Sequence, residues 1–282
     1  MTATLALSAG AEKRTPLDEL KAAIATVGLN LVGVASASDY DAKVAPDLRA
    51  TALLPGAQSI AVIGNGGGLL WRAFVAELAH DHARLTGEQH PLDAFVRRAV
   101  MKADAVLGAE ARRWFWAAAD AQPHLDFRLL GVLAGLGAPS RLGLLLHARY
   151  GPWVGLRAAC FLAKQIPASA RSPSLCAGCE APCLTACPGG AFPGGQWNVD
   201  RCTAFHRESD VCNASCAARN ACPVGNEHRY PEEAIAYHYN RRSGRQQLRC
   251  LVGVARGSDP YEGQGPHWSD WRTRVAVRRR PR

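Results

Sequence analysis

Eight of the ten cysteines in this chain fall between Cys176 and Cys222, in two runs that each end in Cys-Pro. The first reads Cys176-Ala-Gly-Cys179-Glu-Ala-Pro-Cys183-Leu-Thr-Ala-Cys187-Pro188. The second is looser: Cys202, then Cys212-Asn-Ala-Ser-Cys216, then Cys222-Pro223. Thiolate sulfur is the soft ligand that the iron of an iron–sulfur cluster prefers, and a cubane takes one thiolate for each of its four irons. Eight such ligands are what two [4Fe–4S] clusters need. Electron transfer is the expected chemistry.

The spacing also suggests a pairing. In two-cluster ferredoxins, three closely spaced cysteines wrap one cluster, and the cysteine before proline reaches across to the other. Applied here, Cys176, Cys179, Cys183 and Cys222 hold one cluster, while Cys187, Cys202, Cys212 and Cys216 hold the second. Both runs depart from the compact C-x2-C-x2-C-x3-C-P form. The first has three residues between its second and third cysteines; the second has nine between Cys202 and Cys212, then three and five. A [3Fe–4S] centre or an empty site is the alternative for that looser set. Structural zinc competes for both, since four cysteines with short spacers suit it too. The crossed Cys-Pro endings and the tandem arrangement favour iron. His206 and His228 lie near these cysteines and could donate hydrogen bonds to sulfur, or serve as ordinary surface or capping histidines. Cys160, in an apolar stretch, reads as a core residue, and Cys250 is left over.

The rest of the chain must position this chemistry. At 282 residues and 48% hydrophobic, it can bury a sizeable core, as one large domain or two small ones. No apolar run approaches the roughly 18–20 residues of a membrane span. Met1–Ala11 has neither a leading positive charge nor a twin arginine, so it reads as a frayed tail rather than an export signal. Cysteines confined to one segment argue against a secreted disulfide scaffold, and a reducing cytoplasm is expected. The formal net charge is +9, part of it in the run from Arg272 to Arg282. A solvated tail is the expectation there. No nucleic-acid-binding motif accompanies it, although a basic end leaves such a contact open.

Thr15-Pro16-Leu-Asp18 reads as a capped helix start, with the helix ending near Gly28. Leu29–Ala35 and Ser59–Ile63 read as strands, the second running into Gly64-Asn65-Gly66-Gly67-Gly68. That cluster has neither P-loop nor dinucleotide-fold spacing and is expected to be a strand-to-helix turn. Helical stretches are expected over Leu69–Leu85 and Leu92–Trp116. Leu142–His147 and Trp153–Leu162 suggest a β-hairpin, Pro167–Pro173 a hinge, and Glu232–Tyr239 a short helix. No fold is assigned beyond Gly244.

Several segments resemble the corrinoid-dependent reductases, meaning reductive dehalogenases and epoxyqueuosine reductases. They are Leu54-Pro55-Gly56-Ala57-Gln-Ser-Ile-Ala-Val, Ala134-Gly135-Leu136-Gly137, Arg141-Leu-Gly143-Leu-Leu-Leu, Tyr150-Gly151-Pro152-Trp153-Val and Cys187-Pro188-Gly-Gly190-Ala191. The likeness spans about Leu29–Cys222. It implies an α+β fold: a flavin-reductase-like, corrinoid-binding type of domain over 15–167 and a ferredoxin-like two-[4Fe–4S] module over 168–243. A tail over 1–14 and a basic tail over 244–282 flank them.

The resemblance further implies cobalamin as a cofactor, lying against Gly135, Gly137, Tyr150, Gly151 and Trp153, where glycines allow close approach and the aromatics offer apolar surface. The alternative is that these glycines turn a hairpin whose aromatics pack the core. The resemblance also implies a proton-donating aspartate, placed at Asp120 of Asp120-Ala-Gln-Pro123, with Asp126 an equal rival by position. The expected function is that of a cytoplasmic reductase passing electrons from two clusters to a corrinoid or bound substrate. A ferredoxin-like carrier without corrinoid and a cobalamin-processing protein are the alternatives. The expected partners are an electron-donor protein and, for a reductase, a small-molecule substrate.

Overall fold

A computed structural model describes residues 14–118, 123–212, 215–239 and 241–254. The chain begins with helix α1 (Pro16–Ala25), strand β1 (Leu31–Ser36), helices α2 (Ala37–Asp41) and α3 (Ala50–Leu53), and strand β2 (Ser59–Gly66). Helices α4 (Leu69–His80), α5 (Ala83–Gly87) and α6 (Pro91–Ala103) lead to strand β3 (Arg112–Trp116). Helix α7 (Phe127–Leu133), strands β4 (Ala138–Pro139) and β5 (Leu145–Leu146), and the long strand β6 (Val154–Leu162) follow. The cysteine region contributes α8 (Pro182–Thr185), α9 (Val199–Glu208) and α10 (Ala217–Asn220); α11 (Glu232–Tyr239) and α12 (Arg241–Leu251) complete the described chain.

Four strands form one antiparallel sheet in the order β1-β2-β6-β3. Side chains alternate across a strand, so the sheet feeds two cores. Val34, Ala61, Ile63, Ala158, Cys160 and Leu162 pack with α1, α4 and α6 on one face. Ala35, Ile60, Val62, Ala159 and Phe161 pack with α2, α3 and α7 on the other. Every residue of β2 is buried, as a central strand between two helical layers requires. The result is a mixed α/β fold. Cys160 sits fully buried at its centre, and burial raises its thiol pKa far above the ordinary value.

The capped start of α1 is as expected: Thr15 Oγ1 accepts from the Asp18 amide at 3.2 Å. Three expectations need correction. The helical pattern does not run to Trp116, because Gly108 turns the chain at φ 68° and residues 112–116 pair with β6. There Phe115 joins one core while Trp114 and Trp116 lean on the other, which is strand alternation rather than helical phase. Residues 142–147 and 153–162 do not form a hairpin ladder. Leu145–Leu146 pairs with Ala138–Pro139, and β6 pairs with β2 and β3; only one bridge, His147 to Gly151, joins the two segments. Nor does the Pro167–Pro173 segment swing free. The Ser169 amide donates to Val34 O and Val34 N donates to Ser169 Oγ, both at 2.9 Å, so the segment covers the edge of β1.

Beyond the cysteines the chain returns to the first core. Tyr237 of α11 stacks 5.3 Å from Trp71, and Ala234, Leu248 and Val252 are buried beside α4 and α6. Arg245 donates to the carbonyls of Leu85, Glu88 and Gln89. Residues 244–254, which composition alone assigns to the basic tail, therefore continue a helix and end in a turn anchored on the α5–α6 connection. Residues 1–13 and 255–282, with the rest of both expected tails, lie outside the described residues.

Candidate metal centre

The cysteine segment is a long excursion between β6 and α11, both held in the large core. Its local folding follows from a few residues. Pro182 starts α8, and Ala181 before it takes a left-handed conformation (φ 56°), the one non-glycine among the described residues to do so. That conformation disfavours a Cβ by about 1–2 kcal/mol, and strain of this kind gathers at functional sites. Its amide donates to Cys179 Sγ at 3.4 Å. Asn198 caps α9, accepting from Arg201 N at 2.9 Å, and so sets the helix that carries Cys202. Cys216 is the N-cap residue of α10, and Cys222 follows that helix.

Burial raises the pKa of Cys183, and the neighbouring thiols Cys222, Cys176 and Cys179 raise it further. Cys222, also raised chiefly by burial, responds to Cys176 and Cys179. Cys212 is pushed up to about 11, first by burial and then by Cys216, Cys202 and Cys187. Beyond burial, Cys183 and Cys222 are thus moved by Cys176 and Cys179, and Cys212 by Cys216, Cys202 and Cys187, while Cys187 and Cys216 also pack in one cluster with Cys183 and Cys222. Cys176, Cys179, Cys183 and Cys222 line one cavity, walled by Leu142, Leu146, Leu175 and Val224. Among the described residues no three His, Cys, Asp or Glu side chains close tightly enough for a single ion.

The residues expected to face a corrinoid are not gathered around an opening. A Cβ on Gly135 would lie 2.2 Å from Ala170 O, and one on Gly137 2.7 Å from Leu146 O. Gly151, at φ 55°, presses so closely on the cysteine segment that a Cβ would meet Val224 O at 1.9 Å. The close approach these glycines permit is taken up by the protein's own backbone. Tyr150 is held by Asn30, whose Nδ2 donates to its hydroxyl at 3.2 Å, and its ring sits 4.7 Å from His228 and 5.1 Å from His147. Trp153 is 1% exposed, under the Arg219 guanidinium at 4.5 Å. Tyr150, Gly151 and Trp153 therefore fasten the α/β layers to the cysteine segment, Gly135 packs on Ala170 at its start, and Gly137 packs on Leu145 and Leu146 within the layers.

Asp120 lies outside the described residues. Its rival Asp126 is the N-cap of α7, accepting from Leu129 N at 2.9 Å, a structural duty. His206 stacks on Tyr239, and His228 packs on Tyr150 with Glu227 3.5 Å away. Asn30 and Arg219 carry no motif and were missed. An arginine midway between Cys216 and Cys222 was the one available signal for the second.

Burial, the Arg149 charge and His228 hold His147 below the ordinary histidine pKa, while its Nδ1 accepts from the amides of Arg149 and Tyr150 at 3.0 and 3.2 Å. A histidine kept neutral in the fold takes up protons more readily when unfolded, so stability falls as pH drops below about 6.5. Chemical denaturation from pH 7.5 to 5.5 should register this loss. His147→Asn, which retains an acceptor but does not titrate, should flatten the dependence.

No known family's sequence profile matches the chain, and no curated protein matches it either. Solved structures do share its fold. Epoxyqueuosine reductase from Streptococcus thermophilus superposes with a TM-score of 0.53 at 15% identity, covering 84% of this chain and 79% of that one. The Bacillus subtilis enzyme, solved with its catalytic aspartate loop swung out of the active site, gives 0.54 at 17%, with 87% and 78% covered. A B12-trafficking protein from C. elegans, CblC, gives 0.58 at 13%, with 86% and 99% covered. The fold is thus one found in epoxyqueuosine reductases and in a B12-trafficking protein.

Proposed function

We propose that this chain is an iron–sulfur redox protein of the reductase type, with one [4Fe–4S] cluster on Cys176, Cys179, Cys183 and Cys222 and another on Cys187, Cys202, Cys212 and Cys216. The observation that carries this reading is that Cys222, from the end of the second run, lines one cavity with Cys176, Cys179 and Cys183 of the first. Bound clusters would supply one-electron transfer, at potentials set by charge, burial and hydrogen bonds to sulfur. The chain's own residues do the rest. Leu142, Leu146, Leu175 and Val224 keep water from the first set, and the Ala181 amide orients Cys179. The Tyr150–Gly151 turn, pressed against Val224, gives the first set its packed route into the α/β layers.

On this reading the excursion between β6 and α11 is a ferredoxin-type module, and the sheet with its helices is a flavin-reductase-like body that receives the electrons. The likeness to epoxyqueuosine reductases and to a B12-trafficking protein favours a corrinoid as acceptor. One such reductase has been solved with a tRNA stem loop, which makes nucleic acid a further class of substrate to assay.

Anaerobic reconstitution with iron and sulfide tests the first claim, with about eight irons per chain expected. Titration of that sample with cob(II)alamin tests the second. A changed electron paramagnetic resonance spectrum of the cobalt supports the corrinoid reading, whereas the spectrum of free cobalamin at micromolar protein leaves an electron carrier.

A further inference from the structure

The most unusual charge among the described residues is Arg219. It lies in the last turn of α10, three residues after Cys216, and its side chain turns into the junction between the cysteine segment and β6. The guanidinium sits 4.5 Å from the Trp153 ring centroid and 5.2 Å from that of Tyr230. One Nη donates to Pro152 O at 2.6 Å, and a further hydrogen bond joins it to the Tyr239 side chain. Its Nε is shut off from solvent without an acceptor, as are the neighbouring Trp153 Nε1 and Tyr230 hydroxyl. The groups that act most on its charge are Tyr239, Tyr230 and Cys216. The Tyr239 ring in turn stacks on His206, 6.3 Å between centroids, on α9, the helix that carries Cys202, and Cys216 is the N-cap of Arg219's own helix.

A guanidinium whose Nε is cut off from water without an acceptor is costly unless a negative group nearby balances it. The negative group at hand is the second thiol set, which becomes strongly anionic once its thiols are deprotonated onto iron. We infer that Arg219 is a positioning residue for the second cluster: the guanidinium, fixed between Trp153 and Tyr230 and tied to Tyr239, is its built-in countercharge and raises its reduction potential relative to the first. An adjacent positive charge stabilises the reduced, more negative cluster over the oxidised one. The first set has no such cation in its cavity wall except Arg141, which is exposed. The inference rests on the iron–sulfur reading of the second set.

The test is a potentiometric titration of the full chain after anaerobic reconstitution, followed by electron paramagnetic resonance, with the second cluster's signal assigned by its loss in Cys202→Ser. Arg219→Gln is expected to lower that cluster's reduction constant about tenfold, which is about 59 mV for a one-electron couple, while the first cluster's midpoint stays. Arg219→Lys should keep most of the wild-type value. Tyr239→Phe, which removes the anchoring hydroxyl but keeps the ring, should move the midpoint in the same direction by less. If Arg219→Gln fails to retain the cluster, the Lys and Phe variants decide. A Tyr239→Phe midpoint equal to wild type, or equal shifts of both clusters in any variant, overturns the inference. A wild-type chain with about four irons and no second signal overturns the reading beneath it, and the iron count keeps the two failures distinguishable.

Discussion

Cys222→Ser is expected to abolish the same cluster as Cys176→Ser or Cys179→Ser, and to leave the other cluster in place. Iron per chain should fall from about eight to about four in all three variants, and the signal that survives should be the same. The expectation is counter to chain order. Cys222 lies 35 residues after Cys187, the last cysteine of the first run, and six after Cys216 of the second. By proximity in sequence it would join Cys212 and Cys216. The fold places it beyond α10, where it lines the cavity with Cys176, Cys179 and Cys183. Cys187, just past α8, goes the other way and acts on Cys212 together with Cys202 and Cys216. Cys187→Ser should therefore remove the complementary signal. If Cys222→Ser and Cys212→Ser removed the same signal, the runs would bind uncrossed and the grouping above would be wrong. Serine suits the test, because it matches the thiol in shape but is a poor soft ligand.

The proposed cysteine pairing is read from spacing and the two Cys-Pro endings, which are local features of the chain. The start of α1 was legible in the sequence, since Thr15, Pro16 and Asp18 cap a helix wherever the rest of the chain lies. What failed depends on partners far along the chain. Residues 112–116 follow an amphipathic helix across one glycine, Gly108, which a helix can tolerate, and their pairing with β6 is what reveals a strand. The segments 142–147 and 153–162 look like hairpin arms because they flank a turn; nothing local says that β2 lies beside the second. The glycines at 135, 137 and 151 did mark close approach, as a missing Cβ should. The sequence does not say what approaches, and here it is the backbone of 170, 146 and 224. Arg219 belongs to a third kind: a single residue whose role arises from Trp153, Tyr230 and Tyr239, brought to it from two other parts of the fold.

Removing the iron should loosen the segment from about residue 170 to 225 while the α/β layers stay folded. The large cores on either side of the sheet hold most of the bulky buried side chains, among them Phe74, Phe95, Ile60 and Phe161. The cluster around the thiols has little of comparable bulk. Its fully buried members besides cysteine are Leu142, Leu146, Ala181 and Ala218, with Leu175, Leu184, Phe192 and Val224 only partly covered. Of the five thiols in it, only Cys183 and Cys222 are buried, and they are small side chains. Metal binding is therefore expected to supply the missing folding free energy, as in other small metal-dependent units. Limited proteolysis should cut the apo chain between 170 and 225 at least about tenfold faster than the reconstituted one, with the region before Pro167 spared in both. The C-terminal helices should stay bound after the cut, because α11 and α12 pack on α4 through Tyr237, Leu248 and Val252. A second reporter is Trp153, buried beneath Arg219 at the edge of the same segment. Its emission should shift to the red on iron removal, and Trp153→Phe should lessen that change, the remainder coming from Trp197 within the segment. Equal cleavage rates with and without iron would mean that the cysteine segment holds its shape by packing alone, and that the clusters are guests in a preformed site.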